Sequence, residues 1–81
     1  MADIEEIRAR RQARADLTKH GIDTARADVQ IRHGILTIRG LVKPMPGSNI
    51  SDLKVEMERI SRILRQKAHI REVVLDCIFM R

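Results

Sequence analysis

The chain has no tryptophan, no tyrosine and one phenylalanine among its 81 residues. That excludes RNA-binding modules that stack bases on aromatic side chains. Its single cysteine, Cys77, rules out an intramolecular disulfide framework and a cysteine-rich zinc site. Apolar runs are only a few residues long, too short for a membrane-spanning helix. The first residues are charged from Asp3 onward and no apolar core of a secretory signal follows. The expected compartment is therefore the cytoplasm, or the periplasm where a leader has been removed. Asp and Glu are scattered, with no pair poised beside a Ser or His. The expectation is a non-enzymatic protein without a cofactor.

At 9.3 kDa the chain has room for one domain, residues 1–81. A chain of this size buries only about 60–65% of its unfolded surface, so its core is thin. Sixteen Lys and Arg against 11 Asp and Glu leave a net charge of +5.

Residues 3–20 read as a helix, with Asp3 and Glu6 forming an acidic variant of the capping box. Ile4, Ile7, Ala13 and Leu17 give it a sparse apolar stripe. Gly21, after Lys19 and His20, is placed to close the helix in the left-handed region. Residues 27–42 read as a hairpin about His33-Gly34, a two-residue loop suited to a type I′ turn. That loop sets Arg32 opposite Ile35, Ile31 opposite Leu36, Gln30 opposite Thr37 and Val29 opposite Ile38. Asp28 then lies opposite Arg39 as a candidate charge pair. Gly40, inside the second strand, suggests a bulge or a close backbone approach.

Residues 43–50, with Pro44, Pro46 and Gly47, read as an internal linker. A second helix is predicted from about Ser51, as N-cap, to about Ala68. Leu53, Met57, Ile60 and Leu64 form its apolar face at i, i+4, i+7 and i+11. Residues 72–80 read as a last strand. Val73, Leu75, Cys77 and Phe79 face one way, and Val74, Asp76, Ile78 and Met80 the other. The fold class is α+β: an αββαβ two-layer sandwich, with a three-stranded sheet and both helices on one face. Whether the last strand lies beside the first or the second is left open by the pattern.

The segment from Asp28 to Val42 resembles the central hairpin of the BON domain, a bacterial family. It has an alternating strand, a glycine turn, then Leu36-Thr37-Ile38-Arg39-Gly40-Leu41-Val42. The αββαβ order is similar too, and the resemblance runs roughly from Asp16 to Phe79. It implies a module that binds phospholipid or helps assemble larger complexes, mostly in the cell envelope. The sequence departs from the family pattern in its long Pro44–Asn49 segment and at His69, where the family has glycine. A type II KH domain has a similar outline, but its Gly-x-x-Gly backbone grip is missing from the sequence.

Two surfaces are candidate sites. Ile35, Leu41, Val74, Ile78 and Met80 fall on the sheet face that no helix covers, and together form a candidate interface for self-association or a protein partner. Exposed strand edges offer a second route. Arg8, Arg11 and Arg14 on the first helix are the alternative, a site for anionic phospholipid or, less favoured, nucleic-acid phosphates. A solvated helix face is the simpler and favoured explanation of these arginines, as it is of Arg59, Arg62, Arg65, Lys67 and Arg71. His20, His33 and His69 follow no ligand spacing, so no metal is expected. Cys77 reads as a buried, inert thiol.

Overall fold

The hairpin organises the molecule. In the computed structural model, which describes residues 4–67 and 69–79, strand β2 (Ala27–Arg32) turns through His33-Gly34 into β3 (Ile35–Pro44). His33 and Gly34 have φ values of 51° and 81°, as a type I′ turn requires at both central positions. The antiparallel register is the predicted one, from Arg32 opposite Ile35 to Asp28 opposite Arg39. Val29, Ile31, Leu36, Ile38 and Val42 are buried. A one-residue slip would turn that whole row to water.

Helix α1 (Ile4–Lys19) precedes the hairpin and a short strand, β1 (Ile22–Asp23), joins the two. Helix α2 (Leu53–Leu64) and strand β4 (Glu72–Phe79) follow. The sheet has four strands rather than three, because the two residues of β1 pair with Lys43 and Pro44 at the end of β3. They are too short to produce a period in the sequence. β1 and β2 run along one edge of β3. The Leu41 amide donates to the Arg26 carbonyl at 3.1 Å and the Met45 amide to the Gly21 carbonyl at 2.8 Å, both toward that edge. Residues 24–26 stand opposite residues 41–42 alone, a bulge between the two pairings. At this bulge a Cβ on Gly40, whose φ is 112°, would lie 2.8 Å from the Arg26 carbonyl oxygen. The close backbone approach expected at Gly40 is there.

β4 lies against the other edge of β3 and runs parallel to it, from Ile35 opposite Glu72 to Val42 opposite Phe79. β3 is thus the central strand. α1 packs over β1 and β2, and α2 packs beside β4. Both helices contribute to one core. Ala13 and Leu17 come from α1, and Leu53, Met57, Ile60 and Leu64 from α2, closing over the buried row of the sheet. Met57 and Leu64 are fully buried. Truncating a buried side chain of this size to alanine costs about 2–5 kcal/mol.

Several local expectations change. The N-cap of α2 is Asp52, not Ser51: its carboxylate accepts from the Val55 amide at 3.3 Å. α2 ends at Leu64 rather than near Ala68, since residues 65–67 bond back in turns. The linker is shorter than 43–50, because Lys43 and Pro44 belong to β3. On α1 the apolar stripe holds only in part: Ala13 and Leu17 are buried, Ile7 is half-buried and Ile4 is 67% exposed. The capping by Asp3 and the ends assigned to Ala68 and Met80 lie outside the described residues.

Candidate interaction surface

The pleat that buries one row of side chains presents the other row to solvent. On β2 that row is Asp28, Gln30 and Arg32. On β3 it is Ile35, Thr37, Arg39 and Leu41, and on β4 it is Glu72, Val74, Asp76 and Ile78. Neither helix covers it. Val74 is 40% exposed and Ile78 64% exposed, while Ile35 and Leu41 are half-buried. Four of the five candidate interface residues therefore share the open face, and Met80 lies outside the described residues. The apolar groups concentrate on the β3–β4 half, with Leu41 directly opposite Ile78. The β2 half is polar. There Gln30 Nε2 donates to Asp28 Oδ2 at 2.7 Å.

Arg39 does not pair with Asp28, its neighbour on β2. Its Nε lies 3.1 Å from Asp76 Oδ2, directly across the parallel β3–β4 ladder. The side chain of Asp28 is bonded instead to Gln30. The cross-strand pair expected from the hairpin alone is thus replaced by one that needs β4.

β4 carries apolar residues on both faces. Its inner row, Val73, Leu75, Cys77 and Phe79, packs against the core yet stays half-buried. The β3 residues opposite three of these, Leu36, Ile38 and Val42, are fully buried. The helical layer therefore covers β3 completely and β4 in part. Among the described residues, β4 pairs with β3 alone, so its outer backbone edge is unpaired. Cys77 Sγ donates to the Ile38 carbonyl at 3.0 Å. Burial, and then the nearby Asp76 carboxylate, push the thiol up to about 11. The expected buried thiol is half-buried, and is kept protonated at neutral pH.

The arginines of α1 divide. Arg14 does not point freely outward as an anion ligand. Nη1 reaches the Thr24 carbonyl at 3.3 Å and Thr24 Oγ1 at 3.4 Å, and Nη2 donates to the Ala27 carbonyl at 2.9 Å. It ties α1 to the bulge between β1 and β2, where strand bonding is interrupted. Arg8 and Arg11 are exposed. Arg10, Arg11 and Arg14 line a groove of about 350 Å³ between α1 and β2, together with Ile7, Asp28 and Val29. Arg8 lines a different groove, of about 280 Å³, between α1 and the α2–β4 connection. The three candidate anion ligands thus do not converge on one point. The second groove is bridged by Lys67 and Asp16 at 3.7 Å and by His69 and Glu5 at 3.6 Å. Arg59 is 3.4 Å from Glu56 on its own helix.

Among the described residues no group of three or more His, Cys, Asp or Glu is placed to hold a metal ion. No helix of these residues is long and apolar enough to cross a membrane. No family model, curated protein or solved structure matches the chain.

The pattern of alternation pointed to the open face. It missed the Arg14 clamp, which depends on a backbone bulge, and left open which hairpin strand β4 joins; the structure places it beside β3.

Proposed function

We propose that this protein is a non-enzymatic assembly module. It self-associates or docks on a protein partner through the β3–β4 half of its open sheet face and the adjoining strand edge. The observation that carries this reading is the exposure of Val74 and Ile78, at 40% and 64%, beside Leu41 on a face without a helix. Scattered apolar side chains are ordinary on a surface. Grouped ones beside an unpaired edge mark a contact area. The hairpin resembles that of the BON domain, and an assembly role agrees with that resemblance.

Replacing Ile78 with Asp tests it. Ile78 is exposed, so the variant keeps its circular dichroism spectrum and loses association in sedimentation equilibrium. A wild-type chain that is monomeric at high micromolar concentration and captures no partner in pull-down sinks the reading.

The exposed Arg10 and Arg11 at the groove between α1 and β2 support a second reading, an anionic phosphate or lipid headgroup held there. Flotation with vesicles of anionic phospholipid at low and moderate salt tests it. Charge-driven binding weakens as salt rises, and an absence of binding at low salt removes this reading.

A further inference from the structure

β4 has the composition of an interior strand and the position of an edge strand. Its eight residues contain no Pro and no Lys, and it pairs with β3 without a bulge. Proline, lysine and bulges are the usual protections of an exposed edge. The opposite side of the sheet is better guarded. There α1 packs against β2 and Arg14 occupies the Ala27 carbonyl. The half-buried inner row of β4 also lies where the helical cover thins. A neighbouring strand carrying its own helix would complete that cover.

We propose that β4 pairs antiparallel with β4 of a second copy of this chain, about a twofold axis at Leu75. The proposal rests on the docking reading above and names its occupant. A twofold axis normal to the sheet reverses strand direction and keeps both helical layers on one side. Apolar inner row then meets apolar inner row, and the second copy brings its own α2 to roof the seam.

Charge and overlap select the register. Directly opposed residues in an antiparallel pair project to the same face, so the axis must pass through a single residue. An axis at Asp76 sets two carboxylates against each other, and one at Val74 sets Glu72 against Asp76 of the second copy. An axis at Cys77 leaves only residues 75–79 of β4 paired. The axis at Leu75 pairs residues 72–78, about 24 Å of strand. It sets Leu75 against Leu75, Val73 against Cys77 and Val74 against Asp76, with no like charges directly opposed. The Arg39–Asp76 pair of each copy is kept.

Site-directed disulfide trapping tests the proposal. Disulfides require Cα atoms within about 7 Å. The unmodified chain is first sedimented across micromolar to high micromolar concentration, and a dimer is expected. Under a mild oxidant, Leu75→Cys combined with Cys77→Ser should give a covalent dimer. Val73→Cys, which keeps the native Cys77, should do the same. The unmodified chain should not, because its two Cys77 residues stand four positions apart in this register, about 13 Å. Circular dichroism establishes that each variant folds. Hydrogen exchange on the unmodified chain reads the same contact without substitution, since β4 amides should slow as concentration rises. A dimer that cross-links through native Cys77, or through neither variant, or whose β4 amides ignore concentration, overturns the edge pairing and leaves open-face docking standing. A monomer at every concentration overturns the edge pairing, and it overturns the docking reading as well only where the chain also captures no partner in pull-down.

Discussion

Arg39 and Asp76 meet across the parallel ladder between β3 and β4, with Nε 3.1 Å from Oδ2, on a face open to solvent. The pair joins two strands that lie far apart in sequence. Its side chains are 71% and 65% exposed, so water and salt screen it strongly. A double-mutant cycle with Arg39→Ala and Asp76→Ala, followed by urea denaturation, should give a coupling of about 0.2–1 kcal/mol, falling at high salt. A larger, salt-independent coupling would mean that the face is covered.

Gly40→Ala should destabilise the fold by at least about 1 kcal/mol. The glycine has a φ of 112°, and an added Cβ would meet the Arg26 carbonyl oxygen at 2.8 Å. Backbone cannot swing aside as a flexible side chain can. Thermal or urea unfolding measures the loss. A neutral or stabilising result would show that the bulge opposite Gly40 is not rigid.

Arg14→Leu should cost about 1–3 kcal/mol, because it removes charge-assisted bonds to the Thr24 and Ala27 carbonyls and the Thr24 hydroxyl. Arg8→Leu, on the exposed side of the same helix, should change stability by no more than about 0.5 kcal/mol. The contrast between the two, read in urea, separates the arginine that clamps from the arginine that is solvated.

Cys77 should react slowly with iodoacetamide at neutral pH, with a rate still climbing above pH 9. Burial, with Asp76 second, holds its thiol up at about 11 against an ordinary value of 9.0. The folded state keeps the proton that the unfolded state releases first. The thiol's contribution to stability is therefore complete below pH 9 and is lost as pH rises through 11. Comparing wild type with Cys77→Ala across this window isolates the effect. A reactivity plateau near pH 9 would show the thiol in water.

The hairpin was legible because two constraints agree on it. His33-Gly34 fixes the loop, and alternating Val29, Ile31, Leu36 and Ile38 fix the face. The face of β4 was legible for the same reason, since Val74 and Ile78 alternate with Leu75 and Phe79. Its place beside β3 was not, because a run apolar on both sides gives no preference between two neighbours. The partner of Arg39 was hidden with it, as only strand order brings Asp76 across. Asp52 displaced Ser51 as cap because both residues are competent and the choice depends on where the preceding turn releases the chain. Arg14 looked like one more solvated cation until the bulge between β1 and β2 supplied carbonyls for it.

The central position of β3 also sets a timetable for folding. Its pairing with β2 closes through a two-residue turn, a microsecond event. Its pairing with β4 joins Ile35 to Glu72 and must first close the long excursion through α2. The hairpin is thus the natural nucleus and the parallel ladder the late step, so mutations in β4 should speed unfolding more than they slow refolding.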